Sequence, residues 1–270
     1  MIKFSNVFSR RNIILLRELV VTDFKLRYQG SALGYLWSVL KPLFLFTILF
    51  IVFDKFLGLG RDIEHFPVYL LLGIVVWQFF AEATITGLQS IISRGDLIRK
   101  INFPKYVIVF ASTISALINF LINMIVVLIF CIINGVEITL MALLVIPLIL
   151  EVYIFALGLA FLLSAINVKF RDIGYLWEIF LQGAFYATPI LYPLQMILAK
   201  MPVAAKWLMM NPMAQAIQDM RYVLVTRETI TLWQLVSGWK VIIPFLIILS
   251  VLVVGIRYFN KNQKRFAEEI

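Results

Sequence analysis

Long apolar stretches alternate with short polar segments along most of this chain. The apolar stretches lie at 34–57, 68–90, 105–133, 140–166, 173–192 and 240–258. Each is long enough for an α-helix to cross the roughly 30 Å hydrocarbon core of a bilayer. Apolar residues run continuously within them instead of alternating, which favours helices over a β-barrel. The pattern predicts an all-α integral membrane protein with six transmembrane helices.

The segment before the first apolar stretch has an amphipathic pattern. Polar residues recur at helical intervals, at Arg11, Glu18, Thr22, Lys25 and Gln29. Apolar residues occupy the opposite side, among them Ile13, Leu16, Val20 and Phe24. Residues 1–33 are therefore predicted to form an amphipathic helix in the lipid headgroup layer, although Arg17, Asp23 and Arg27 interrupt the pattern. Gly30 and Gly34 allow the backbone to turn into the transmembrane domain, residues 34–270.

A long segment at 189–238 separates the fifth apolar stretch from the sixth. It is too apolar for a solvated loop, and Pro193, Pro202 and Pro212 divide it into pieces too short to span a bilayer. We predict two short re-entrant helices on the outer side, which form a gate or, alternatively, pack as half-helices without moving.

Basic residues predict the orientation of the chain. If the N-terminus is cytoplasmic, 17 of the 24 Lys and Arg residues flank the spans on the cytoplasmic side. The C-terminal tail, residues 259–270, then also lies in the cytoplasm. The net charge of +9 accordingly indicates contact with anionic membrane lipids and not with nucleic acid.

Composition narrows the possible chemistry. The chain is 62% hydrophobic and only 14% charged, which is too little polar surface to cover a soluble protein. One cysteine and one histidine disfavour a disulfide within the chain or a metal site. The sequence lacks the Gly-Lys pair of a phosphate-binding loop, so we expect no enzyme activity, no cofactor bound by this chain, and an energy source in another subunit.

The polar loop between the second and third spans is basic and compact. Residues 91–103 predict a short helix with Leu97 and Ile98 on an apolar ridge. Such a helix docks in a groove of a partner protein or rests on anionic lipid, and the pattern leaves both open. Its charged residues are Arg94, Asp96, Arg99 and Lys100. Arg171 and Asp172 occupy the next loop on the same side.

Aromatic and ionisable residues within the apolar stretches are candidates for a substrate path. Sugar rings stack their C–H faces on aromatic rings, whereas lipid contact and core packing use the same residue types. Our hypothetical path comprises Phe50, Phe53, Trp77, Phe80, Phe185 and Tyr186. Lys41 either extends to the headgroup layer or meets a pyrophosphate. Glu82, Glu151 and Glu178 are expected to pair within the protein or to line an aqueous path.

Several segments, taken in order, resemble the ABC-2-type permeases that export polysaccharides. These segments are DFKLRYQGSALGYLWS at 23–38 with Lys41-Pro42, LIRKINFP at 97–104, FRDI at 170–173, PILYP at 189–193 and Asn211-Pro212. Such permeases serve O antigen, capsule, teichoic acid and cell-wall rhamnan pathways in the bacterial cytoplasmic membrane. The resemblance covers essentially the whole chain.

The resemblance implies a homodimer docked on two cytoplasmic ABC ATPase subunits that hold ATP and Mg²⁺. The substrate it implies is a lipid-linked polysaccharide of the undecaprenyl pyrophosphate type. The implied ATPase contacts are Arg94, Asp96, Leu97, Ile98, Arg99, Lys100, Arg171 and Asp172. Lys25, Arg27 and Lys41 are expected to attract the pyrophosphate into a path between the first, second and fifth spans.

Two other function classes stay open at this stage. The first is an ABC-2-type exporter of another lipid or a drug. The second is a membrane-embedded glycan-processing enzyme, which needs clustered acidic groups that the outer segments do not display.

Overall fold

The computed structural model describes residues 9–28, 30–31, 33–61 and 63–269, without the side chains of Arg27, Tyr28 and Ala267. All regular secondary structure in this described part is helical. Residues 1–8, Gln29 and Ala32 of the predicted amphipathic helix lie outside the described residues. An all-α fold is therefore confirmed for the part of the chain that the structure describes.

Among the described residues, five helices are long and apolar enough to cross a membrane. They cover Gly34–Phe56, Phe66–Ser93, Tyr106–Ile133, Leu140–Lys169 and Gly238–Asn262. These bounds match five of the six predicted spans within a few residues.

The helices are numbered in chain order. The first half contains α1 (Arg10–Tyr28), α2 (Trp37–Phe50), α3 (Phe66–Ser93), α4 (Gly95–Lys100) and α5 (Tyr106–Ile133). The second half begins with α6 (Val145–Lys169) and α7 (Ile173–Ala187) and continues with α8 (Leu194–Lys200), α9 (Pro202–Met209), α10 (Pro212–Leu224), α11 (Leu232–Leu235), α12 (Ile243–Asn262) and α13 (Phe266–Glu269). A π-helical segment, Ile51–Phe56, extends α2, and single 3₁₀ segments precede α2, α6 and α12.

Helix α3 is the centre of the bundle, with α5 and α6 packed against it. Small residues permit the closest crossings. A Cβ atom on Gly87 would overlap the side chain of Ala160, so α3 and α6 approach closely only because residue 87 is glycine. Gly158 of α6 and Gly255 of α12 meet in the same way, with a Cβ on Gly158 lying 2.8 Å from the Cα of Leu252.

The directions of the helices require the chain to return to the opposite end of the bundle between α6 and α12. The rings of Phe161 and Phe259 are 5.1 Å apart, and Gly158 contacts Gly255, so α6 and α12 run parallel. Helix α7 lies between them in sequence and runs back along α3. Its Trp177 Nε1 donates to Thr84 Oγ1 at 3.0 Å.

The stretch at 173–192 does not form a long helix as predicted. Helix α7 has 15 residues, a rise of about 22 Å, which is shorter than a bilayer core. Residue Thr188 is extended and ends the helix before Pro189. The chain continues beyond α7 to Ile190, which lies level with Tyr69 near the start of α3 because Arg221 binds both carbonyl groups.

The segment at 189–238 contains more helices than predicted. Instead of two short helices it forms four, α8 to α11. The prolines act as expected, because Pro193 precedes α8 and Pro202 and Pro212 begin α9 and α10. Helix α10 is almost completely buried and packs against α3, α6 and α12.

Candidate functional site

Helix α1, α4 and α13 lie at one end of the bundle, which we name the terminal end. Leu19 of α1 is buried against α5, and Asn12 Nδ2 donates to the Tyr106 hydroxyl at 3.3 Å. The predicted polar positions Arg11, Glu18, Thr22 and Lys25 are exposed. The predicted apolar side is only partly covered, since Ile13 is 48% exposed.

Asp23, which interrupts the amphipathic pattern of α1, forms an ion pair with Arg94. Both side chains are partly buried. Arg94 stands at the junction between α3 and α4. The ion pair therefore connects the N-terminal helix directly to the segment predicted to couple with an ATPase, and Arg94 is already engaged within the chain.

Helix α4 turns its apolar ridge inward. Ile98 is 5% exposed and belongs to the same buried cluster as Phe259 and Phe266, so it is not available to a partner as the sequence predicted. Leu97 is half-buried. The exposed side of α4 carries Asp96, Arg99 and Lys100, with 3.3 Å between Arg99 Nη2 and Asp96 Oδ1.

The turn after α6 lies at the terminal end as well. Asn167 Nδ2 donates to the carbonyl oxygen of Leu88 at 3.2 Å, which fixes the end of α6 beside the end of α3. Arg171 and Asp172 follow on an exposed turn. Two charged, exposed segments are thus present at the terminal end.

A polar cleft of about 750 Å³ lies at mid-length of the bundle between α2, α3 and α5. Its polar lining residues are Ser31, Ser38, Lys41, Gln78, Glu82, Thr86, Asn119 and Asn123. Polar side chains within apolar helices are costly unless they face a cavity or one another, so their convergence marks this cleft as the candidate substrate site.

Hydrogen bonds fix several walls of the cleft. Asn119 Nδ2 donates to Glu82 Oε2 at 2.7 Å, which joins α5 to α3. Asn123 Nδ2 donates to the carbonyl oxygen of Ser38 at 3.1 Å, which joins α5 to the start of α2. Lys41 is exposed and lines the cleft one turn further along α2. The cleft therefore offers a cation beside a rigid array of amides and a carboxylate.

Of the polar residues that line this cleft, only Lys41 and Glu82 were among the candidates predicted from the sequence. The signal was present: Gln78, Glu82 and Thr86 recur every four residues on α3, and Asn119 and Asn123 are four apart on α5. A spacing of four places side chains on one helical face. The sequence therefore indicates a polar face within an apolar span, but it does not indicate which helix packs against that face.

The structure divides the six aromatic residues of the predicted path into two groups. The ring of Trp77 lies 5.7 Å from that of Phe80 and 6.0 Å from that of Phe185, and Tyr186 adjoins Phe185. Trp77 and Phe80 are buried, and Tyr186 is 64% exposed.

The other two aromatic residues, Phe50 and Phe53, lie on the far part of the first span. Phe50 packs near Phe66, with 6.3 Å between the ring centroids. Phe50 and Phe53 are only partly buried. Phe50 and Phe53 pack against the same large core cluster as Trp77 and Phe80, but the ring contacts of Phe50 are with Phe46 and Phe66.

The remaining charged candidates occupy different surroundings. Lys25 is exposed on α1, and the side chain of Arg27 lies outside the described residues. Glu178 of α7 is exposed, whereas Glu151 of α6 lies near Gln215 and Asp219 of α10. Burial raises the pKa of the Asp219 carboxyl to about 6, and a hydrogen bond from Gln215 opposes that rise.

Arg221 fixes the segment that follows α7. Its fully buried guanidinium donates to the carbonyl oxygens of Tyr69, Pro189 and Ile190 at 3.0, 2.6 and 2.7 Å. It also lies over the Tyr69 ring, with Cζ 3.5 Å from the centroid. A single buried cation thus joins α10 to α3 and to the extended chain after α7.

Comparisons with known proteins agree with this architecture. The family model of the ABC-2 type transporter matches residues 14–225. The chain is 33% identical over 248 residues to the O-antigen export system permease protein RfbA of Klebsiella pneumoniae, covering 91% of each chain. A second Klebsiella pneumoniae RfbA is 31% identical over the same length.

A relative from a different bacterium gives the same result. The O-antigen export system permease protein RfbA of Myxococcus xanthus is 33% identical over 186 residues, covering 68% of this chain and 70% of that one. The matched family region extends from α1 through α10 and so includes the polar cleft and α4. This multi-pass membrane protein belongs to the ABC-2 type transporter family and resembles O-antigen export permeases.

Proposed function

We propose that this chain is the permease subunit of an ATP-driven exporter that moves a lipid-linked polysaccharide across the bacterial cytoplasmic membrane. The observation that carries the proposal is the polar cleft, because hydroxyl-rich sugars need hydrogen-bonding groups within the membrane. The names of the RfbA relatives support a polysaccharide as the cargo.

Lys41 contacts the pyrophosphate of the carrier lipid in this proposal. Lys41 is exposed and lines the cleft, so its ammonium group can donate hydrogen bonds to an anionic ligand there. Phosphate oxygens accept such charge-assisted bonds strongly. Lys25 and Arg27 of the N-terminal helix attract the same anionic group to the membrane surface.

Movement is driven by a separate ATPase that binds the terminal end. The exposed residues Asp96, Arg99 and Lys100 of α4 form the main contact, and the turn with Arg171 and Asp172 forms a second one. The ATPase holds ATP and Mg²⁺. The ion pair of Asp23 with Arg94 then transmits a displacement of α4 to α1.

Two subunits enclose the translocation path. Helices α2 and α7 leave broad apolar surfaces exposed, including Phe44, Ile48, Ile179 and Phe180, and a second copy covers them in the dimer. The path is lined by α2, α3 and α7, which brings Phe50, Phe53 and the Trp77 group of both copies to one conduit.

The same arrangement gives six membrane crossings. Helix α7 and the extended residues after it carry the chain from the level of Leu88 to that of Tyr69, about 28 Å along α3. Both chain termini are then cytoplasmic. Helices α8 to α11 lie on the outer side and release the polymer.

Proteoliposomes that contain this chain and its cognate ATPase test the proposal. We expect ATP-dependent movement of a lipid-linked polysaccharide and faster ATP hydrolysis in its presence. An unlinked polysaccharide and a non-hydrolysable ATP analogue serve as controls. Transport without the ATPase contradicts the proposal, and stimulation by a drug or phospholipid but not by the lipid-linked glycan favours the other exporter class.

A further inference from the structure

A second crevice, of about 820 Å³, lies between α6, α10 and α12. It shares no lining residue with the polar cleft. Its walls are apolar, formed by Leu148, Ile154, Phe245, Ile248, Leu249 and Leu252. One part of the lining is polar and contains Glu151, Gln215 and Asp219. The crevice thus combines a long apolar surface with a compact acidic end.

Hydrogen-bond acceptors outnumber donors among Glu151, Gln215 and Asp219. Gln215 is fully buried and Asp219 is 8% exposed, and Gln215 Nε2 donates to Asp219 Oδ2 at 2.7 Å. The buried atoms Glu151 Oε1, Gln215 Oε1 and Asp219 Oδ1 have no hydrogen-bond partner among the described residues. An unsatisfied buried acceptor is unfavourable, so three in one place call for a ligand with donors.

The nearest cation in sequence does not supply these donors. Arg221 follows Asp219 by two residues, but its guanidinium is held by the carbonyl groups of Tyr69, Pro189 and Ile190. None of the ion pairs among the described residues includes Glu151 or Asp219. A metal ion is also disfavoured, since the described residues contain no group of three His, Cys, Asp or Glu side chains suited to hold one.

We propose that this crevice binds a phospholipid whose head group carries a primary ammonium. An –NH₃⁺ group has three N–H donors and no acceptor, which matches three unpaired acceptors and two carboxyl groups. The acyl chains lie along the apolar walls of α6 and α12. Trp233, which is 64% exposed at the crevice, occupies the kind of position that tryptophan favours at a membrane surface.

This chemistry separates two common lipids of similar size. Phosphatidylethanolamine has the primary ammonium, whereas phosphatidylcholine has a quaternary ammonium without N–H donors. The two lipids can carry identical acyl chains. A preference for the first therefore reports hydrogen bonding at the acidic end and not general contact with the apolar walls.

The test is lipid retention by the purified full-length chain. The protein is equilibrated in detergent with equal amounts of phosphatidylethanolamine, phosphatidylcholine and phosphatidylglycerol, and the bound lipids are measured by native mass spectrometry. We expect about a tenfold preference for phosphatidylethanolamine over phosphatidylcholine. Glu151→Gln and Asp219→Asn should each remove most of this preference. Glu178→Gln, which changes an exposed glutamate of α7, is the matched control and should keep it.

A further variant guards against a folding defect in the two carboxylate variants. Leu249 is 57% exposed and lines the crevice, so Leu249→Trp should fill the crevice without disturbing the core. It should lose phosphatidylethanolamine while its unfolding temperature stays unchanged. Equal retention of the two lipids by the unaltered chain overturns the proposal, as does a preference that survives both carboxylate changes or that Glu178→Gln also removes.

Discussion

At the scale of single residues, the proposed function depends on polar groups within the spans. Lys41 and Glu82 were recognisable in the sequence because an isolated charge stands out in an apolar stretch. The spacing of Asn119 and Asn123 indicates a polar face on α5, but not which helix that face meets. Only the packing of α5 on α3 brings Asn119 to Glu82.

Lys41→Gln tests the role of the cation in the cleft. Loss of the ammonium should lower export about tenfold, since a charge-assisted hydrogen bond to phosphate is replaced by a neutral one. Assembly with the ATPase should be unaffected. The measurement is surface polysaccharide in cells that depend on this permease. Lys200→Gln on α8 is the control. An equal effect of both changes would mean that Lys41 anchors the helix at the membrane surface and does not contact the substrate.

The ion pair of Asp23 with Arg94 is tested by charge exchange. Asp23→Arg and Arg94→Asp should each reduce substrate-stimulated ATP hydrolysis at least about fivefold, because either change leaves like charges face to face. The double variant restores the opposite signs and should regain much of the stimulation. Glu18→Gln, on an exposed position of the same helix, is the control. A double variant no better than the single ones would show that the pair does not transmit movement.

At the scale of elements, the sequence predicted where helices begin more reliably than which side they bury. Proline positions correctly marked the starts of α9 and α10. The ridge of α4 was predicted to face a partner, yet Ile98 packs against the C-terminal segment. Helical periodicity identifies an apolar side but not its occupant, and here the occupant lies about 160 residues away along the chain.

Arg221→Met tests whether one buried cation holds α10 in place. The change leaves three buried carbonyl groups with a lost donor, so we expect a loss of roughly 3 kcal/mol or more in unfolding free energy. Thermal unfolding in detergent measures it. Arg227→Met is the control, since that exposed arginine contacts the carbonyl group and ring of Tyr222 and the Thr139 hydroxyl. Equal losses for the two variants would contradict the structural role of Arg221.

Gly255→Ala tests the crossing of α6 and α12. The added Cβ would overlap the carbonyl oxygen of Gly158, so the helices must separate, at a cost of about 1–3 kcal/mol. Gly183→Ala on α7 is a suitable control because its Cβ would meet no atom within 4 Å. Thermal unfolding should show a clear loss for the first and none for the second. An unchanged Gly255→Ala variant would mean that the crossing is looser than the structure shows.

At the scale of the whole molecule, the family and the membrane class followed from the sequence, whereas the number of long helices did not. Composition allowed no soluble fold, and five spans appeared with nearly the predicted bounds. The hydropathy pattern predicted a sixth full-length helix at 173–192 because it reports how long the apolar stretch is, not where the helix within it ends. Thr188 and Pro189 end α7 early, and Arg221 satisfies the carbonyl groups that the missing helical turns leave free.

Contact between the cleft and the glycan is the most direct test of the proposed path. A photo-crosslinking amino acid is placed at Gln78, which lines the cleft, or at Ile132, which is 71% exposed near the far end of α5. We predict that lipid-linked polysaccharide crosslinks to position 78, that a hydrolysis-deficient ATPase changes the yield, and that position 132 captures only bulk lipid. Glycan capture at position 132 with none at position 78 would contradict the account.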